Sequence, residues 1–258
     1  MSALFGAEPP LFWGLAVIAV LLAGFSKAAT GGGFVVLAVP LMSLAIAPPR
    51  AAAIMLPILC AMDLLGVWAY RSKVDPALLK QLIPGAVLGI AIGSLVFGIV
   101  DVRWVKGLLG AECLLFALHR LAGTRRFQAA AGRPPNAGGA VFWSTISGFT
   151  STLAHAGGPP LMQYLLPLKL DKMRFVATSV VFFTVVNYLK LLPYAWLGLL
   201  ETASLGTSLL LAPVIPIGYW IGLHFARLVP ERWLYGLVNL SLLVTGIKLL
   251  WDAGWGGS

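Results

Sequence analysis

Charge is what this chain has least of. Only ten per cent of its 258 residues are Asp, Glu, Lys or Arg, and only nine of them are acidic. A soluble domain of this length needs a charged shell, so that class is excluded. Cysteine is scarce as well. Cys60 and Cys113 both fall inside apolar runs, which leaves no disulfide framework and no metal-ligand spacing. The three histidines are far apart, and neither His-Glu-x-x-His nor Gly-x-Ser-x-Gly occurs. An intramembrane hydrolase therefore lacks its usual metal ligands and its nucleophile. No basic residue precedes the first apolar stretch, so a retained membrane segment is expected there and not a cleaved signal peptide.

What is abundant is apolar surface, at 59% of residues. Apolar segments fall at about Leu11–Ala23, Phe34–Ile46, Ala51–Tyr70, Leu82–Val100 and Val102–Leu118. They recur at about Ala140–Leu153, Leu161–Leu168, Phe175–Trp196, Ala203–Ala226 and Trp233–Trp251. Three in each half reach or approach the ~20 residues of a spanning helix, and the first two of each half are short. The expected fold class is all-α, a polytopic membrane protein with about 8–10 membrane segments. The eighteen Lys and Arg then read as basic loops on the cytoplasmic side and not as a nucleic-acid footprint. With the Arg120–Arg133 linker inside, Arg71, Lys73, Lys80, Lys169, Lys172, Arg174, Arg227 and Arg232 also fall inside, and both termini fall outside. Arg50, Arg103 and Lys106 fall on the wrong side of this assignment.

The same unit occurs twice. Arg50, Asp63 and Tyr70 stand thirteen and seven residues apart, and Arg174, Asn187 and Tyr194 repeat that spacing. Pro84, Gly89, Gly93, Arg103, Trp104 and Gly107 match Pro213, Gly218, Gly222, Arg232, Trp233 and Gly236 at one constant offset. Each half has an odd number of segments, so the two repeats are expected to be inverted, with broken or re-entrant helices. The units are a first membrane repeat over 1–119, a cytoplasmic linker over 120–139 and a second membrane repeat over 140–258. Two related halves that rock about a shared site are a signature of secondary transporters.

Each half contains a glycine-rich break. The first runs Gly24-Phe25-Ser26-Lys27-Ala28-Ala29-Thr30-Gly31-Gly32-Gly33, and the second runs from Gly148-Phe149-Thr150 to Gly157-Gly158-Pro159-Pro160. Irregular backbone at membrane depth is tolerated where protein or a watery cavity satisfies it. A helix starting there would aim free amides and its positive end at an anion. The alternative is that the glycines only permit close helix packing. Charged residues at depth face cavities or partners. Lys27 and His155 lie within the breaks, Asp63 lies within its apolar segment, and Lys190 shares a helix face with Asn187. Asp63 and Lys190 are candidates to pair across the repeat interface. Glu112 and His224 are read as structural.

Three stretches, Gly24–Pro40, Arg50–Arg71 and Gly148–Pro167 with Arg174–Tyr194, resemble the TauE/SafE sulfite exporter family of the toluene-sulfonate uptake permease group. His155-Ala156-Gly157-Gly158-Pro159-Pro160 and the run from Phe182-Phe183 to Asn187-Tyr188-Leu189-Lys190 carry the resemblance. It implies outward transport of sulfite, sulfoacetate or related organosulfonates across a bacterial inner membrane. The expected substrate-binding residues are Ser26, Lys27, Thr30, Gly31, Gly32, Gly33, Thr150, His155, Gly157, Gly158, Asn187 and Lys190, with Asp63 and His155 as proton-coupling candidates. The expected partners are a small anionic substrate and the lipid bilayer, without nucleic acid, and a homodimer is compatible with the sequence. No cofactor, metal or enzymatic activity is expected. A passive anion channel and a carrier of small carboxylates are the alternatives.

Overall fold

The computed structural model describes residues 8–30, 32, 35–97, 99, 101–122, 135–225 and 231–254. Among them the regular structure is helical. The first half holds α1 (Pro10–Thr30), a 3-10 turn (Val35–Leu37), α2 (Ala38–Met42), α3 (Pro48–Tyr70), α4 (Pro76–Phe97) and α5 (Val102–Ala122). The second holds α6 (Ala137–Ala154), α7 (Gly158–Leu165), α8 (Lys172–Trp196), α9 (Thr202–Leu211), α10 (Val214–Phe225) and α11 (Glu231–Gly254). Most of the expected linker, including Arg125, Arg126 and Arg133, lies outside the described residues, as does Arg227.

Local chemistry sets the helix boundaries. Pro48 and Pro49 open α3, where a fixed φ suits the first turn and no amide is wasted. Asn136 caps α6 by accepting from the Gly139 amide at 2.6 Å. Asp171 caps α8 by accepting from the Met173 and Arg174 amides, both at 3.1 Å. The expected single segment Ala203–Ala226 is instead two helices, α9 and α10, bent by 46°. Pro213 lies in the break, and its missing N–H interrupts the helical ladder there.

Among the described residues four helices, Pro10–Ala29, Pro48–Lys73, Pro76–Phe97 and Met173–Trp196, are long and apolar enough to cross a membrane, and the bent α9–α10 pair would make a fifth if it is one broken span. The distribution of polarity is reversed from that of a soluble protein. Leu192 is 80% exposed and Trp196 77%, whereas Ser26, Ser147, Thr178 and Lys190 are fully buried. An apolar shell around a polar interior suits lipid, where backbone and side-chain polar groups must be satisfied internally. The chain is an all-helical, multi-pass membrane protein.

The halves interlock. α1 packs on α10 and α6 packs on α4, while α3 packs on α8 and α5 on α11. Matching the elements of the two halves in order exchanges the first two pairs and returns the last two to themselves. The contacts agree residue by residue. A Cβ on Gly222 would stand 2.8 Å from Phe25 Cα, and one on Gly93 would stand 3.2 Å from Phe149 O. Gly93 and Gly222 are a matched pair, and Phe25 and Phe149 are another. Such approaches leave no room for a side chain, which is why glycine stands at these crossings.

Each half also folds back on itself. Arg50 Nη2 lies 2.6 Å from Glu8 Oε1, which brings the start of α3 beside the start of α1. The Tyr164 hydroxyl donates to Asn136 O at 3.1 Å, which brings the end of α7 beside the start of α6. Between the halves, Arg174 Nη2 and Asp75 Oδ2 are 2.7 Å apart, so the α3–α4 connection and the start of α8 share one end of the molecule.

The breaks are shorter than the sequence suggests. α1 runs without interruption through Gly24 to Thr30, and α6 through Gly148 to Ala154. Gly24 packs against the Gly218 and Tyr219 backbone, and Gly148 against the Ala86 backbone. For these two glycines the packing alternative holds. An isolated glycine costs a helix only about 1 kcal/mol, which such contacts offset.

Candidate functional site

Where α6 ends, His155 adopts a left-handed conformation with φ 54°. Its amide donates to Ser151 O at 3.0 Å and the Ala156 amide donates to Thr150 O at 3.3 Å, so the last carbonyls of α6 are satisfied by the turn. The conformation is uncommon for a residue with a Cβ, and it throws the imidazole toward α3 and α8. His155 Nε2 lies 2.9 Å from Ala52 O. A carbonyl can only accept, so Nε2 carries the proton and Nδ1 is left as an acceptor. Lys190 Nζ donates to that Nδ1 at 2.7 Å, to Ser151 Oγ at 2.9 Å and to Ser151 O at 3.0 Å. All three ammonium protons are thereby placed, and the side chain is fully buried.

A second cluster faces the first. Lys27, one turn from the end of α1, forms an ion pair with Asp63 Oδ1. Asp63 Oδ2 accepts from Asn187 Nδ2 at 2.7 Å. The carboxylate is 1% exposed, so its charge is compensated by one cation and one amide and not by water. The expected pairing of Asp63 with Lys190 is corrected here. Lys27 takes the carboxylate because the α1 helix runs past Gly24 and carries its ammonium up to α3, while Lys190 turns to the α6 turn instead.

Between the clusters lies a narrow cavity lined by Lys27, Gly32, Val35, Leu59, Ser151, His155, Gly158, Phe183 and Asn187. Its free volume of about 10 Å³ holds about one water. Both halves contribute to its wall. Gly32, with φ +100°, turns the chain after α1, a conformation that a Cβ would strain.

Of the expected contacts, Lys27, Gly32, His155, Gly158 and Asn187 line the cavity, and Lys190 stands behind it through Ser151 and His155. Three are placed elsewhere, as is the proton-coupling candidate Asp63. Ser26 is buried within α1 away from the lining. Thr150 is turned to backbone, with Oγ1 donating to Ile146 O at 3.1 Å or Ala156 O at 3.1 Å. Gly157 packs against Ser147, and its carbonyl accepts from Ser147 Oγ at 2.7 Å. Asp63 is held beneath Lys27. Gly31, Gly33 and the Thr30 side chain lie outside the described residues. The expected fan of free amides at α7 is reduced to Gly157 and Gly158, because Pro159 and Pro160 have no N–H and the Leu161 amide already donates to Gly157 O at 3.3 Å.

Ser151 was not expected in the site. It stands 124 residues after Lys27, the offset that relates Asp63 to Asn187, and that match was the available signal. Among the described residues no cluster of His, Cys, Asp and Glu could hold a metal. No curated protein and no solved structure matches the chain. The sequence model described as Sulfite exporter TauE/SafE matches residues 16–249, nearly the whole length. The apolar helices, the buried polar interior and that match agree, and the chain belongs to the TauE/SafE sulfite exporter family.

Proposed function

We propose that this protein is a secondary transporter that exports small sulfur-containing anions, such as sulfite, sulfoacetate or other organosulfonates, across the bacterial inner membrane. Family membership makes it an anion exporter of this general type and a transporter, not an enzyme. The observation that carries the finer reading is a narrow cavity walled by both halves, with one buried lysine, Lys27, in its lining and a second, Lys190, directly behind Ser151 and His155. A cation buried away from water needs a counter-charge, and an oxyanion would supply it. Lys27, Asn187 and the Gly158 amide would hold the oxygens directly. His155 and Ser151 would fix Lys190 at the back of the site.

Alternating access would come from rocking of two inverted repeats about this cavity. The exchanged helix pairs and matched glycine contacts support two equivalent hinged units. The contacts Glu8–Arg50 and Asn136–Tyr164 support hairpins that enter and leave at the same end. In this reading the cavity in its present shape is occluded, and opening one side admits the anion. Asp63, partnered by the lysine that would contact substrate, and His155, partnered by the other, are the coupling groups for a proton. The test is flux in proteoliposomes. Saturable sulfite or sulfoacetate efflux, accelerated by substrate on the opposite side and by a proton gradient, is expected. Ohmic, non-saturating current would point to a channel, and transport of carboxylates alone would move the substrate class.

A further inference from the structure

We propose that the anion passes between the cavity and the Asp75–Arg174 end of the molecule along a path on which two hydroxyls, those of Ser179 and Tyr219, donate to its oxygens. The inference rests on the anion-transport reading and adds a route and two contact residues to it. Ser179 of α8 is 3% exposed and Tyr219 of α10 is 6% exposed, and neither hydroxyl has a hydrogen-bond partner. A buried hydroxyl left unpaired bears its full desolvation cost, so such groups are few and each needs a reason. An opened state that brings an oxyanion past them would satisfy both. Their positions put them on one route. α3 runs toward the Asp75–Arg174 end and α8 starts from it. Leu59 of α3 and Phe183 and Asn187 of α8 line the cavity. Ser179 precedes Phe183 by one turn and Asn187 by two, on the same face of α8. Tyr219 reaches across to α3, where a Cβ on Gly66 would stand 3.6 Å from its oxygen and 2.8 Å from Val180 Cγ1. Gly66 lies two turns past Leu59, so both hydroxyls stand between the cavity and that end.

The matched positions in the first half carry only carbon and sulfur. Ser179 corresponds to Met55 at the offset that relates Asp63 to Asn187, and Tyr219 to Ile90 at the offset that relates Gly89 to Gly218. Met55 and Ile90 are buried as well. Packing at these positions is therefore met by apolar side chains, and the hydroxyls of the second half are surplus to it. Among the described residues the other unpaired buried hydroxyl is Ser43, which follows α2, an element that contributes nothing to the cavity wall.

Thiol labelling and flux in the full-length protein test this. With Cys60 and Cys113 replaced by Ala, a membrane-impermeant cationic methanethiosulfonate is applied from each face of the membrane. Lys73→Cys, in the exposed α3–α4 connection, marks the Asp75–Arg174 face. Ser179→Cys and Tyr219→Cys are expected to label from that face, and Ile90→Cys is not. In otherwise wild-type protein, Tyr219→Phe and Ser179→Ala are each expected to raise the half-saturating sulfite concentration at that face about tenfold, the worth of one hydrogen bond to a charged oxygen. Their thermal midpoints are expected to hold or rise, since no bond within the protein is lost. No labelling of Ser179→Cys and Tyr219→Cys from that face, equally fast labelling of Ile90→Cys from it, or wild-type saturation in both hydroxyl-free variants would overturn the path while leaving transport standing. If the cysteine variants do not fold, saturation of the hydroxyl-free variants decides. A wild type that moves neither sulfite nor sulfoacetate would overturn the transport reading instead.

Discussion

Lys27, in the cavity wall, and Lys190, behind it, sit in different halves of the chain and are buried in different ways. Lys27 has a carboxylate partner in Asp63, and that carboxylate is further held by Asn187. Lys190 has only neutral partners, Ser151 and His155. The positions that match across the halves explain the difference. Asp63 corresponds to Asn187 and Lys27 to Ser151, so in the second half both members of the ion pair are uncharged. Away from the cavity the halves agree. Tyr70 OH donates to Ala28 O at 3.1 Å, and Tyr194 OH donates to Thr152 O at 2.6 Å, the same contact at matched positions. The tyrosine contacts recur in both halves, and the charge is one-sided where the halves face each other.

That contrast is broken most directly at the lysines. Lys27→Met strips Asp63 of its cation and leaves a carboxylate buried, and a loss of about 3–5 kcal/mol is expected. Lys27→Met combined with Asp63→Asn is expected to recover most of it, since both charges are then gone. Lys190→Met removes a cation that has no carboxylate partner. The relief of burying that charge offsets its three hydrogen bonds, so stability is expected to move by less than about 1 kcal/mol. Anion affinity is expected to fall by about 2–4 kcal/mol, or 30- to 1000-fold. Denaturation of all four proteins, with anion binding to those that fold, checks the set. A Lys190→Met protein as unstable as Lys27→Met would show that Lys190 has a structural ion-pair partner after all.

The glycine crossings come next. A Cβ on Gly89 would run into Thr145 O and stand 2.8 Å from Phe149 N, all of it backbone. At the matched Gly218 the nearest atoms, Leu21 Cα and O, are both at 3.0 Å. Gly89→Ala is therefore expected to cost about 3 kcal/mol or more, and Gly218→Ala about 1–2 kcal/mol. The thermal midpoints of the two variants would rank them. Equal losses would mean that the α1–α10 contact is as tight as the α4–α6 contact.

Much of this arrangement could be read from the sequence, and the unread part has physical causes. The apolar runs and the repeat of Arg50, Asp63 and Tyr70 are local or self-referential patterns, so they survive without knowledge of the fold. The exchange of partners between α1 and α6 is not local. Gly89 announces a close approach but not that Thr145 is what approaches. The Asp63 partner was misassigned for the same reason, because helix phase and length decide which of two lysines reaches it. The breaks were read too long because glycine in a membrane helix signals packing as readily as irregularity. The loss of amide donors at Pro159 and Pro160 was legible, since a missing N–H is a property of the residue itself.

The matched tyrosines give the smallest and sharpest contrast. Tyr194 is fully buried and its hydroxyl is the short donor to Thr152 O, whereas Tyr70 is half-buried and its bond to Ala28 O is longer. Removing a hydroxyl costs the bond and also leaves its acceptor unpaired, and the second cost scales with how far water is kept away. Tyr194→Phe is expected to lose about 1–2 kcal/mol and Tyr70→Phe about 0.5 kcal/mol. Both carbonyls belong to the last turn of a helix that ends at the cavity, so each hydroxyl ties a helix end to the long helix beside it. If the halves hinge independently, Tyr194→Phe should also loosen the α6 end, and faster amide hydrogen exchange at Leu153–Ala156 would report it. Unchanged exchange there, together with the expected loss of stability, would confine Tyr194 to static packing.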